Sequence, residues 1–167
     1  QLIRQIERKN PGKLKIINCD NGTEFKNESI MSLADEFGIQ VRFSLPYVKE
    51  ENGRAERMNR TLVTAARTIM KSAMMTQGYW SFALKHATYV HNRTLQLGEQ
   101  VTPFEKIYLK KPTVSNLRTF GAKGYAQIDV SQRTKWANTA RKIVLLGYPE
   151  HHRGYIVMDT ETRRIFV

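Results

Sequence analysis

The chain has 167 residues, enough for one compact domain or for part of a domain with a small appendage. Its hydrophobic content of 41% excludes wholesale disorder, and no apolar stretch reaches the length that a membrane span requires. The 27 Lys and Arg residues exceed the 15 Asp and Glu residues, and the formal net charge is +12. Such an excess attracts polyanions and favours a nucleic-acid partner, although a merely soluble basic surface would give the same balance.

The cysteine and histidine content limits the possible metal and redox chemistry. The single cysteine, Cys19, excludes an internal disulfide and indicates a reducing compartment. With one cysteine and four histidines, no zinc site of the usual Cys/His spacing can be written. The sequence starts with Gln1 rather than Met, so we expect it to begin inside a longer reading frame, and its basic start has no signal-peptide core.

The first part of the chain predicts alternating strands and helices. In chain order we expect a helix over residues 2–7, a buried strand over 14–18, an amphipathic helix over 27–37 and an alternating strand over 39–45. The first strand runs directly into the turn sequence Asp20-Asn21-Gly22, and Gly38 ends the second helix. Pro46 closes the second strand, and a polar loop comes after it.

The second part predicts helices and then a small β module. A long helix begins at about Gly53, with a buried stripe through Met58, Leu62, Ala65 and Ile69. Two more helices are expected over residues 80–90 and 103–109, and short strands over 117–128 and 143–167 with a hairpin loop at 159–162. This order indicates a mixed α/β fold over residues 1–112 and a β-rich module over 113–167.

Two acidic residues occupy positions where metal chemistry is plausible. Asp20 comes after the carboxyl end of a predicted strand, where α/β sheets place ligand-binding groups, although Asp-Asn-Gly alone is commonly a simple turn. Glu56 lies in the first turn of the long helix, where the helix dipole alone favours an acid. Glu56, Arg60 and Arg67 fall within about 40° of one another on the helix face opposite the apolar stripe. An acid that can hold a metal, aligned with cations that can hold phosphates, is suited to DNA cleavage.

With 35 residues (21 to 55) between Asp20 and Glu56, the chain closely resembles the integrases of Ty1/copia-type retrotransposons. The resemblance rests first on the segments DNGTEF (20–25), SLPY (44–47) and ENGRAERMNRTL (51–62). It continues in the same order through YWSFA (79–83), HNR (91–93), TPFE (102–105), LRTFG (117–121), LLGY (145–148) and DTETR (159–163). Each segment alone is weak evidence, but the series covers nearly the whole chain.

The resemblance implies a ribonuclease-H-like integrase core that lacks its first strands, with the β module after it. It implies DNA 3′-end processing and strand transfer by two-metal phosphoryl transfer, with Mg²⁺ or Mn²⁺ as the cofactor. Asp20 and Glu56 match the second and third catalytic carboxylates, and both would bind metal. Asn59, Arg60 and Arg67 are candidate DNA contacts, although Asn59 would equally suit a helix surface. The implied partners are the element's DNA ends and target DNA, in a nuclear homo-oligomer with no membrane partner.

The family's first aspartate and its amino-terminal zinc module would precede Gln1. Two carboxylates hold a metal pair poorly, so we expect this polypeptide by itself to be catalytically silent. The strand that ends before Asp20 would also lack neighbours and expose an unpaired edge, which predicts poor solubility. The alternative function is an inactive remnant of a transposable element that retains at most nucleic-acid binding.

Overall fold

The computed structural model describes residues 2–20, 22, 26–44, 53–150 and 152–167. Its elements in chain order are α1 (Leu2–Lys9), β1 (Ile16–Cys19), α2 (Glu28–Glu36), β2 (Gln40–Phe43), α3 (Gly53–Ser72), α4 (Trp80–His91), α5 (Pro103–Tyr108), β3 (Lys123–Gln127), β4 (Ala140–Gly147), β5 (Ile156–Asp159) and β6 (Ile165–Phe166). The predicted mixed α/β fold with a small β module is confirmed. No helix within these ranges is both long enough and apolar enough to cross a bilayer.

The chain divides into two compact units, Gln1–Arg60 with Pro103–Lys111, and Thr61–Thr102 with Pro112–Val167. The predicted boundary between residues 112 and 113 does not coincide with this division, because residues 61–102, which include most of α3 and all of α4, fall in the same unit as strands β3 to β6. These units reflect contacts within the structure, whereas the predicted domains, residues 1–112 and 113–167, follow the family resemblance. The two-domain assignment therefore stays a prediction.

The first unit contains a parallel strand pair and its flanking helices. β1 and β2 pair in register from Ile16 with Gln40 to Cys19 with Phe43. Between them, the Asn27 side chain caps α2 by accepting a hydrogen bond from the Ile30 amide at 2.9 Å. Gly38, with a φ of +63°, lets the chain turn into β2 after that helix. The strand predicted over residues 14–18 is present as β1, but no residue within that range is buried, and Ile16 is 38% exposed. The buried residue of β1 is Cys19, which the sequence placed in the turn.

Side chains at the end of α1 and just after it hold the segment that leads into β1. The buried Glu7 carboxylate accepts from the Gly12 amide at 2.7 Å and from the Leu14 amide at 3.2 Å. Buried Asn10 donates through Nδ2 to the carbonyl of Ile107 in α5, which connects residues that are 97 positions apart. The two bonds to Glu7 satisfy amides that the turn would otherwise leave unpaired.

The second unit contains a four-stranded antiparallel sheet in the order β3-β4-β5-β6. β5 and β6 form the predicted hairpin across residues 159–162. Helices and sheet share one hydrophobic core of Ala66, Met70, Ala83, Ala87, Phe120, Leu146 and Met158. The strands therefore pack against α3 and α4 through this core.

The predicted apolar stripe of α3 is partly correct. Ala65 and Ile69 are half-buried and pack against the core, but Met58 is 42% exposed, and the buried residues of the helix are Ala66 and Met70. Alanine contributes little to a hydrophobic pattern, but its small side chain permits close helix packing. The buried face of α3 is therefore centred on Ala66 and Met70, next to the face that carries Met58 and Leu62.

Candidate functional site

Asp20 lies immediately after β1, at the carboxyl end of the parallel strand pair. Its side chain is exposed, and Oδ1 accepts a hydrogen bond from the Gly22 amide at 3.0 Å, as in an Asx turn. The neighbouring Cys19 is buried, and this burial, with a smaller contribution from the Asp20 charge, raises the pKa of the Cys19 thiol. The structure therefore places Asp20 at the strand end that the sequence predicted, with its carboxylate accessible.

Glu56 lies in the first turn of α3 and is exposed. An acidic side chain in the first turn of a helix interacts favourably with the helix dipole. The predicted loop over residues 45–52 that precedes the helix lies outside the described residues, as do Asn21 and residues 23–25. Most of the SLPY segment and parts of the DNGTEF and ENGRAERMNRTL segments therefore fall outside the described residues too.

The two carboxylates have the right chemistry for the metal that the family resemblance implies, but they are too few. Hard divalent cations prefer oxygen ligands, so Asp20 and Glu56 are suitable donors. Within the described ranges, however, no group of three or more His, Cys, Asp or Glu side chains could hold a metal ion. The described residues thus do not form the complete donor set of a two-metal centre, and no reaction step is assigned to one.

The three predicted DNA contacts, Asn59, Arg60 and Arg67, are all exposed on α3. Arg67 also lines a groove of about 400 Å³ within the second unit, together with Lys71 and Trp80. The groove is not evident from the sequence, because it depends on the packing of α3 beside the start of α4. The sequence signal for the groove is limited to Arg67 and Lys71, which are four positions apart, and to Trp80 further along the chain.

A second cavity, of about 610 Å³, is lined by two histidines, His86 and His91, for which the sequence predicts no role. His86 is 5% exposed, and burial lowers the pKa of its imidazole. The buried Nδ1 of His86 and Nε2 of His91 have no hydrogen-bond partner among the described residues. The ring of His86 packs edge-on against Phe120 and lies 5.3 Å from the ring of Tyr148.

One structural comparison gives a weak likeness. A cryo-electron microscopy structure of the simian T-cell lymphotropic virus intasome matches with a TM-score of 0.48 and 16% sequence identity. The match covers 96% of this chain and 60% of that chain. Because the score is below 0.5, this likeness supports no conclusion about the chain.

Sequence comparison with curated proteins gives a more informative result. Residues 122–167 match the family model of the retroviral polymerase SH3-like domain. The chain is 29% identical over 161 residues to the retrovirus-related Pol polyprotein from transposon TNT 1-94 of Nicotiana tabacum, and 28% identical over 163 residues to that from transposon RE1 of Arabidopsis thaliana. These alignments cover 96% and 97% of this chain but only 12% and 11% of the relatives. The chain is therefore a homologue of the Ty1/copia-type, retrovirus-related Pol polyproteins, and it aligns with them over nearly its whole length.

Proposed function

We propose that the chain is part of a retrotransposon integrase, which processes the element's DNA ends and joins them to target DNA by phosphoryl transfer. The observation that carries the proposal is the arrangement of two carboxylates within a homologue of Pol polyproteins. Asp20 comes directly after β1, and Glu56 opens α3 after 35 intervening residues (21 to 55). This order and spacing match the second and third acids of the integrases that the sequence resembles.

In this proposal Asp20 and Glu56 are metal ligands, and the metal is Mg²⁺ or Mn²⁺. When bound, such ions activate the attacking oxygen and stabilise the leaving oxygen of a phosphodiester. Both side chains are exposed, so a metal and a DNA phosphate can reach them. The remaining acid would come from a segment that precedes Gln1 in a longer protein.

The charge of the chain supports DNA as the substrate. The formal net charge is +12, and Asn59, Arg60 and Arg67 present donors on the exposed surface of α3. Cations on a helix bind phosphates independently of base sequence, which suits an enzyme that must hold many different target sites. We expect the protein to act in the nucleus as a homo-oligomer on paired DNA ends.

The test requires the longer protein, obtained by translating the genomic DNA upstream of Gln1. Asp20→Asn and Glu56→Gln should each reduce Mg²⁺-dependent strand transfer by roughly 100-fold or more, because even groups that only orient a metal ligand contribute 10–100-fold. The matched controls are Asp35→Asn and Glu28→Gln. Glu28 is, like Glu56, an exposed acid in the first turn of a helix. Equal losses in the controls would contradict the proposed roles.

A second candidate function is an inactive remnant that only binds nucleic acid. The observation that supports it is the formal net charge of +12, which attracts nucleic acid without any metal centre. A stop codon or frameshift close before Gln1, or a longer protein that binds DNA without joining it, would support the remnant. An intact upstream frame with strand-transfer activity would exclude it.

A further inference from the structure

The groove beside α3 combines an apolar floor with a charged edge. Met70 and Met75 line it from one side of the core, and Met70 is 9% exposed. Trp80, the first residue of α4, also lines the groove and is 62% exposed. An indole ring that solvent reaches beside apolar side chains is available for contact with another flat, apolar surface.

Two cations occupy the same groove. Arg67 and Lys71 are four residues apart on α3, which places them on one face of the helix, and both are exposed. Like charges at this spacing repel each other, and in the described part of the chain neither cation forms an ion pair with a carboxylate. The residues that line the groove include no acid. An anion bound between the two cations would relieve the repulsion.

A nucleic-acid strand with unpaired bases has the chemistry that fits this combination. Proteins that bind single strands use aromatic side chains as platforms for bases and cations for the backbone phosphates. In a duplex, each base already stacks on its neighbours and is not available to Trp80. An acidic peptide would satisfy the cations, but it would not require a planar, exposed indole next to them.

We propose that this groove binds an unpaired nucleotide of a DNA strand, with the base stacked on Trp80 and the phosphates held by Arg67 and Lys71. A volume of about 400 Å³ lies within the usual range of small-ligand sites, roughly 300–1,000 Å³. The inference rests on the proposed function, in which DNA is the substrate, and it adds a preference for single-stranded segments. It gives Trp80 and Lys71 a role that no comparison assigns to them.

The chain offers a specific optical test, because it contains only two tryptophans, Trp80 and Trp136. In a Trp136→Phe background, the fluorescence of Trp80 reports on the groove alone. A short oligo(dT) should quench this fluorescence at concentrations where a duplex of equal length does not. Trp80→Leu should weaken binding of labelled oligo(dT) by roughly 5- to 150-fold, the effect of losing one stacked base, and leave duplex binding unchanged.

The cations and the fold are tested with matched variants. The double variant Arg67→Gln, Lys71→Gln should have a weaker salt dependence of oligo(dT) binding. The slope of the logarithm of the binding constant against the logarithm of the salt concentration should fall by about 1.4, because each phosphate that is no longer neutralised contributes about 0.7. Lys85→Gln removes an exposed charge of α4 that does not line the groove, and it should lower the slope less. Trp80→Phe keeps an aromatic platform and should retain most of the affinity. Melting temperatures equal to that of the parent protein would confirm that each variant is folded.

The outcomes separate this inference from the proposed function. If Trp80→Leu binds oligo(dT) as the parent does, or if duplex quenches Trp80 equally, the nucleotide site is rejected while DNA binding stands. If neither form of DNA binds the chain, the proposed function itself loses its support. If Trp80 fluorescence changes with protein concentration in the absence of DNA, the groove is an interface with a second copy of the chain, and the inference is overturned.

Discussion

A Cβ atom added to Gly121 would lie 2.3 Å from the Cβ of Ala73, closer than such atoms approach in folded proteins. Ala73 comes directly after α3, and Gly121 donates its amide hydrogen bond to the Leu145 carbonyl at 2.8 Å. The backbone of Gly121 also has a φ of +78°, a conformation that side chains disfavour. The segment before β3 therefore contacts the end of α3 so closely that only glycine fits.

We expect Gly121→Ala to destabilise the protein by roughly 2–5 kcal/mol, from 1–2 for the left-handed backbone and 1–3 for overpacking. Gly98 is the matched control, because its φ is +80° and an added Cβ would have no neighbour within 4 Å. Gly98→Ala should therefore cost only the backbone part, about 1–2 kcal/mol. Denaturant unfolding of both variants measures the difference. Equal losses would show that the close approach to Ala73 is unimportant.

The reactivity of the Cys19 thiol reports on the charge of Asp20. Burial, and secondarily the Asp20 carboxylate, raise the pKa of Cys19, so little thiolate is present near neutral pH. Asp20→Asn should lower that pKa and speed labelling by a thiol reagent, while Asp35→Asn, which removes an exposed charge of α2, should not. An unchanged labelling rate in Asp20→Asn would mean that burial alone protects the thiol.

Acid should destabilise the second unit through His86. Burial holds the pKa of His86 below its ordinary value of about 6.5, so the unfolded chain takes up a proton first as the pH falls. The contribution of neutral His86 to the free energy of unfolding is therefore present above about pH 6.5. It is lost as the pH falls below that value, before the carboxylates titrate. His86→Phe should remove this loss between about pH 7 and 5.5, and His152→Gln, at an exposed position, should retain it. A parent protein with equal stability at both pH values would contradict the prediction.

Asp159 is expected to hold the hairpin between β5 and β6. Its Oδ1 accepts from the amides of Glu161 at 2.8 Å and Thr162 at 3.0 Å, and Oδ2 lies 3.9 Å from Arg141. These backbone bonds, more than the Arg141 charge, lower the pKa of Asp159. Its contribution to stability is therefore present above the unfolded pKa of about 3.9 and is lost as the pH falls through the lower folded value.

Substitutions at this turn separate the contribution of its hydrogen bonds from that of its charge. Asp159→Ala should lower the melting temperature clearly, whereas Asp159→Asn keeps an oxygen acceptor and should lower it less. Asp129→Ala is the control, because Asp129 also accepts an amide hydrogen bond, from Ser131, but is exposed. A larger loss at Asp129 than at Asp159 would refute the assignment.

Local sequence signals predicted most of the elements. Asn27 and Gly38 mark the ends of α2 because capping and positive φ depend on nearby residues. The buried face of α3 was not predictable in the same way, because Ala66 and Met70 are selected by partners far along the chain. The bond from Asn10 to Ile107 has the same origin.

The candidate site was also predictable from the sequence only in part. The positions of Asp20 after a strand and of Glu56 at a helix start depend on local patterns, and the structure has them there. Their metal-binding roles stay predictions, because they depend on further ligands outside the described residues. The groove at Trp80 requires two helices to pack side by side, and no pattern within one helix reveals it.

The core shared by α3, α4 and the sheet affects how this segment can evolve. The recognisable SH3-like stretch begins at residue 122, yet Leu146 and Met158 within it are buried together with Ala66 and Ala83 of the helices. Recombination between two transposable elements at residue 122 would join the sheet of one protein to the helices of another. The core residues of the two parts would then not have evolved together. We therefore expect residues 61–102 and 112–167 to be inherited as one block, with substitutions in one stretch compensated in the other.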